Sequence, residues 1–104
     1  MTVTTIGMTQ IHVDAEGFLT DYDEWDEQLA RQLAAQIGIE LTDAHWRAIR
    51  FLREDYPIQG ETATLRRVST LAGIPIKELF ALFPGKPAKK MAYVAGLPKP
   101  HGCV

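Results

Sequence analysis

Thr42-Asp-Ala-His-Trp-Arg-Ala-Ile-Arg-Phe-Leu-Arg-Glu-Asp-Tyr56 reads as an amphipathic helix, and that reading settles the class of the fold. Trp46, Ile49, Leu52 and Tyr56 recur at helical spacing, Ala48 and Phe51 widen the apolar side, and Arg47, Arg50 and Arg53 form a separate strip. Thr42 is a side-chain cap for the first turn. Pro57 is expected to end the helix near Tyr56, with Gly60 marking the turn that follows. A helix with one apolar side buries it against other elements, so the flanking chain must supply them.

Downstream, Thr62 is expected to cap a third helix to Ala72, with Leu65, Val68 and Leu71 inward and Gly73 as its stop. Pro75 opens a short fourth helix to Phe83 carrying Leu79, Phe80, Leu82 and Phe83, and Pro87 opens a last one to about Ala95, lined by Ala88, Met91, Ala92 and Val94. Upstream, Asp21 and Asp23 are candidate caps for a first helix to Ile37. Its stripe is Trp25, Leu29, Leu33 and Ile37, with Ala30 and Ala34 beside it and Gly38 as the stop. Residues 2–19 are rich in branched side chains, broken at Gly7-Met8 and turned at Asp14-Ala-Glu-Gly17, which predicts a small hairpin. The expectation is one domain spanning residues 1–104, mostly α, with an amino-terminal β-hairpin.

A hydrophobic fraction of 46% suits a packed core, and a net charge of −2 gives no bulk attraction to nucleic acid. No window approaches a membrane span, and the first residues lack the basic and apolar regions of a secretory signal. With a single cysteine, a reducing cytoplasmic compartment is expected. His12, His45 and His101 share no ligand spacing, so neither metal nor cofactor is expected, and His45 beside Trp46 reads as a satisfied residue at the core edge. No nucleophilic triad and no phosphate loop stands out. The acidic group Asp21, Asp23, Glu24, Asp26 and Glu27 suits a helix start and a solvated face.

The chemistry concentrates in Gly96-Leu-Pro-Lys-Pro-His-Gly-Cys-Val104. Pro98 and Pro100 favour an extended course, Gly96 and Gly102 are pivots, and Cys103 is the lone thiol. An arm leaving the body at Gly96 carries Cys103 out by roughly 20 Å. Lys99 and His101 favour the thiolate and the chain-end carboxylate opposes it, so the thiol is expected to rely on a partner's pocket. The residues leave two readings open, an incidental cysteine on a frayed tail and a working arm; the proline brace favours the arm. Arg47, Arg50, Arg53, Arg66, Arg67, Lys86, Lys89 and Lys90 form either a docking surface near the base of the arm or a solvated face, with Arg50 and Glu54 as neighbours along their helix. Residues 62–83 have the outline of a helix-turn-helix. Its second helix offers only Lys77 and Glu78 as polar groups, which reads as packing, so nucleic-acid binding is not favoured.

The terminal run Ala95-Gly-Leu-Pro-Lys-Pro-His-Gly-Cys-Val104 resembles the carboxy-terminal arm of the DsrC/TusE family of sulfur carriers. Asp14-Ala-Glu-Gly-Phe-Leu19, Leu41-Thr-Asp-Ala-His-Trp46, Phe51-Leu-Arg-Glu-Asp-Tyr56 and Leu82-Phe-Pro-Gly-Lys-Pro-Ala-Lys89 are similar to family segments in the same order. The resemblance implies a small orthogonal helical fold with a helix-turn-helix-like pair and a flexible arm over residues 96–104. It implies that Cys103 carries sulfane sulfur between a donor sulfurtransferase and an acceptor protein, in a sulfur relay such as tRNA wobble-uridine thiolation. In that role the chain is a sulfurtransferase-type carrier, not a self-sufficient enzyme. Arg66 matches a family arginine near the arm, and Lys89 is a further candidate for contact with the arm or a partner. Ala92 stands where the family's second cysteine lies, which matches the single-cysteine, TusE-like pattern, and the connection over residues 72–79 is short for the family. An exposed single thiol also predicts disulfide-linked dimers through Cys103. The alternative is a family-like regulator in which Cys103 senses sulfur or redox state and the helix pair binds DNA or a partner.

Overall fold

The computed structural model describes residues 2–100. Strands β1 (Thr2–Ile6) and β2 (Thr9–Val13) pair antiparallel with Thr2 opposite Val13 and Ile6 opposite Thr9. Gly7, at φ 63°, takes the first place of the two-residue Gly7-Met8 loop, where a II′ turn demands a positive φ. After β2 the Asp14 carboxylate accepts from the N–H groups of Glu16 and Phe18 at 2.9 and 3.0 Å, folding the predicted turn. It brings Leu19 back beside Val13, and the Thr20 N–H donates to His12 O at 2.9 Å.

Five helices follow: α1 (Glu27–Gln36), α2 (Asp43–Gln59), α3 (Leu65–Ala72), α4 (Ile76–Leu82) and α5 (Pro87–Val94). The first differs from expectation at its start. Asp21 caps a 3-10 turn over Tyr22–Glu24, and Asp26, not Asp21 or Asp23, caps α1 by accepting from the Leu29 N–H at 2.8 Å. Trp25 sits between the two in extended backbone, which aims its indole across the molecule.

Thr42 caps α2 together with His45, as in a capping box. His45 Nδ1 accepts from the Thr42 N–H at 3.0 Å, so its proton is on Nε2, which donates to Leu82 O at 2.8 Å. The expected satisfied histidine is thus a strut between α2 and the end of α4. Pro57 does not stop α2; the helix runs on to Gln59 and ends at Gly60, φ 74°. A proline inside a helix leaves the carbonyl four residues back without its donor. That carbonyl belongs to Arg53, and the Tyr22 hydroxyl donates to it at 2.7 Å.

The α3 cap is Thr64, whose hydroxyl accepts from the Arg67 N–H at 3.2 Å; Thr62 is committed elsewhere. Leu71, expected inward, is exposed, as are Ile76 and Phe80, while Val68, Leu79 and Phe83 are fully buried. The short α4 turns Leu79 inward and, with so few turns, leaves Ile76 and Phe80 on its outer side. One apolar cluster fills the space between the helices around Ile49, Leu52, Val68, Leu79, Phe83 and Met91. A smaller one, under the hairpin, joins Ile6, Ile11, Val13 and Leu19 to Leu29 and Leu33 of α1, and Trp25 and Tyr93 touch both. Among the described residues no helix is long and apolar enough to cross a membrane.

Candidate functional site at the root of the C-terminal segment

Helix α5 ends in a Schellman motif. Gly96 (φ 70°) donates its N–H to Tyr93 O at 3.3 Å, and Leu97 donates its N–H to Ala92 O at 3.0 Å. The motif places an apolar residue just past the glycine, and Leu97 there is fully buried. Gly96 also lies against Trp25, where an added Cβ would stand 2.4 Å from the indole Cδ1.

Side chains from distant parts of the chain close over this helix end. The Trp25 indole N–H donates to Val94 O at 2.9 Å. Arg53 of α2 packs over the Tyr22 and Trp25 rings, at 3.7 and 4.3 Å from their centroids, and donates to Ala95 O at 3.3 Å and Tyr22 O at 3.0 Å. Burial pulls this guanidinium below the usual arginine value, with Tyr22 and Asp23 opposing the shift; it stays charged at neutral pH and complements the negative end of the α5 dipole.

Beyond Leu97 the chain still follows the body. The Thr62 hydroxyl donates to Pro98 O at 2.7 Å, the Lys99 ammonium meets the Glu16 carboxylate at 3.3 Å, and Pro100 is buried. Gly96 ends the helix, and residues 97–100 keep contacts with the body beyond it: Leu97 and Pro100 are buried, while Pro98 and Lys99 are exposed and held by Thr62 and Glu16. The Lys99 ammonium, expected to favour the thiolate, is paired with Glu16, and the thiol itself lies outside the described residues. Cys103, with His101 and Gly102, lies outside the described residues.

The basic residues do not gather into one surface. Arg47 donates to Ala72 O at the end of α3, and Arg50 reaches Glu27 of α1 at 3.7 Å, not Glu54. Arg67 grips the buried Asp55 carboxylate through Nε at 3.0 Å and Nη2 at 2.7 Å, and this hydrogen bonding raises its pKa. Arg66 is exposed and makes no hydrogen bond or ion pair among the described residues. Lys86, Lys89 and Lys90 line an open cleft of ≈ 550 Å³ floored by Phe18, Ile37 and Tyr93 and bounded by Glu16. Lys89 lines this cleft together with Glu16, which also meets Lys99 of the anchored segment, and Arg66 is not among the residues lining it. The acidic group is dispersed by similar local partnerships, with Glu24 on His12 and Glu27 on Arg31.

Thr62, Trp25, Arg53 and Glu16 hold the root; the sequence places Arg53 in a basic set near the base of the arm, and it gives the other three no role there. The signal for Leu97 was present in the sequence, an apolar residue directly after a helix-ending glycine. For Thr62 there was none, because its acceptor lies 36 residues away. The arrangement positions a chain segment, and among the described residues it brings no metal-binding group of His, Cys, Asp and Glu together.

Fold and site together define a small helical domain, fronted by a hairpin, whose purpose-built feature is the anchored root of its C-terminal segment. The family model described as DsrC like protein matches residues 5–104, and the chain belongs to this family. It is 40% identical to the sulfurtransferase TusE of Sodalis glossinidius, over 92% of this chain and 95% of that one. The solution structure of Allochromatium vinosum DsrC aligns with a TM-score of 0.82 at 37% identity, covering 98% and 97% of the two chains. A crystal structure described as dissimilatory sulfite reductase I (DsrI) aligns with a TM-score of 0.85 at 34% identity, covering 99% and 100%. The mostly α fold with its hairpin is thus that of the family.

Proposed function

We propose that the chain is a sulfur carrier in a relay between partner proteins, with Cys103 holding the sulfur as a persulfide. The observation that carries this reading is the family relationship through the final residues, including the TusE sulfurtransferase relative. The anchored root supports it, because a segment held by Trp25, Arg53 and Thr62 presents its end to a partner from a defined point. The relatives' sulfurtransferase name gives the regulatory alternative no support.

In the transfer, the Cys103 thiolate attacks the terminal sulfur of a donor persulfide. The donor's S–S bond breaks, its thiolate leaves, and a new S–S bond forms on Cys103 with the terminal sulfur keeping its proton. The same exchange on an acceptor thiolate regenerates Cys103, and no external oxidant or reductant is needed. The chain supplies position, and the partner's pocket supplies the environment that ionises the thiol. We assign Arg66 and Lys89 to contacts with the arm or with a partner, and we place the protein in the cytoplasm, where a lone thiol stays reduced. Purified without reductant, the protein forms a dimer linked through Cys103.

Mass spectrometry tests the reading. Incubation with a persulfide-loaded rhodanese-type sulfurtransferase adds the mass of one sulfur atom to the wild type, and Cys103→Ser abolishes the gain. A wild-type chain that takes up no sulfur from loaded donors overturns the proposal.

A further inference from the structure

Thr62 sits in the α2–α3 connection, buried to 5% exposure, two residues before the threonine that caps α3. Its hydroxyl has no capping duty and reaches across 36 residues to Pro98 O. The segment it meets is short of ways to hold itself. Pro98 and Pro100 have no N–H, and Lys99 has the one main-chain donor among the three residues. The polar contacts on the segment are therefore Thr62 on the Pro98 carbonyl and Glu16 on the Lys99 side chain, at 2.7 and 3.3 Å. The Glu16–Lys99 pair is exposed and salt-sensitive, which leaves the buried Thr62 hydroxyl as the fixed point.

We propose that Thr62 is the positioning residue for sulfur transfer at Cys103: its hydrogen bond to Pro98 O fixes the stretch of chain from which the sequence runs on to Cys103. This rests on the carrier reading above. With Pro100 held, Cys103 follows the last anchored residue by three positions, a span of at most roughly 10 Å. With Pro98 released, departure moves back to Leu97, six positions from Cys103, and the limit rises to roughly 20 Å. Thr62 thereby shortens the length of chain between the last fixed residue and Cys103 and gives a partner a defined point of approach.

Thr62→Val removes the donor and keeps the shape, and Thr62→Ser keeps the donor. Three readouts are compared: ¹⁵N relaxation at Lys99 and Leu97, sulfur uptake from a persulfide-loaded rhodanese-type sulfurtransferase, and thiol reactivity toward a small aromatic disulfide. In Thr62→Val the order parameter at Lys99 falls from about 0.85 to below about 0.6 while Leu97 keeps its value. Sulfur uptake slows several-fold, reactivity toward the small disulfide is unchanged, and Thr62→Ser restores the wild-type values. Thr62→Ala, with less steric demand, takes the place of Thr62→Val if the valine variant unfolds. Lys99 staying as ordered as in the wild type overturns the anchor, and a loosened Lys99 with unchanged uptake overturns the positioning role. A wild type that takes no sulfur brings down the carrier reading and the positioning role with it, while the relaxation data still report separately on the anchor.

Discussion

The turn after the N-terminal hairpin meets the C-terminal segment through Glu16 and Lys99, yet hairpin and segment are held by opposite means. The hairpin satisfies its own backbone through a five-residue ladder and needs the body only for one apolar face, where Ile11 and Val13 meet Leu29 and Leu33. Residues 96–100 have no ladder. They are held by a helix-ending motif, one buried leucine and side chains from four distant places in the chain. Self-sufficient backbone can be read from local sequence, whereas borrowed anchoring cannot.

If that contrast is right, single changes at the root cost more than single polar changes at the hairpin. Leu97→Ala is expected to have the largest effect, lowering unfolding free energy by about 3 kcal/mol in a urea titration, since a fully buried leucine leaves a cavity. Gly96→Ala comes next, at about 2 kcal/mol, because a positive φ and the close approach of Trp25 act together. Its second signature is a change in tryptophan fluorescence as the indole is displaced. Tyr22→Phe is expected to cost about 1 kcal/mol by leaving the Arg53 carbonyl without its donor, and Pro57→Ala in the same chain restores most of the loss by returning an N–H to the helix.

The smallest change is on the hairpin side. The Glu24 carboxyl accepts from the His12 N–H at 2.8 Å and meets its ring at 2.6 Å, and the backbone hydrogen bond is the main cause of its lowered pKa. A carboxyl lowered in the folded state contributes stability above the ordinary glutamate value, about 4.3, and loses it as pH falls through the lowered one. Glu24→Gln is therefore expected to cost at most about 1 kcal/mol at pH 6, with the difference from wild type shrinking as pH falls through the lowered value. A Glu24→Gln cost exceeding that of Leu97→Ala breaks the comparison.

Much of the fold was legible because its signals are local. The Gly7-Met8 turn, the α1 and α2 stripes, Pro87 at the start of α5 and Gly96 at its end all stand where the sequence puts them. The misread boundaries share one physical cause. Asp21, Asp23 and Asp26 are near-equal caps by local preference, and the choice falls to Asp26 in a chain whose Trp25 takes extended backbone and bonds Val94 O, 69 residues on. Thr62 and Thr64 are equivalent in the same way until Pro98 claims one of them. Pro57 breaks a helix by local rule, and a tyrosine 35 residues upstream compensates by serving the Arg53 carbonyl. The arginine strip on α2 looked like one surface because only its spacing was visible. In the fold each arginine reaches a different element: Ala72 at the end of α3, Glu27 of α1 and Ala95 after α5. The candidate thiol was legible from composition alone, as the only cysteine in the chain.

The Schellman motif and the Thr62 bond have a practical corollary. The contacts described at the root involve residues up to Pro100, and a chain shortened by its last four residues is expected to keep its fold, which its unfolding in urea checks. On the carrier role proposed above, such a stub is expected to engage the same partners with nothing to hand over and, expressed alongside the intact protein, to act as a competitive decoy.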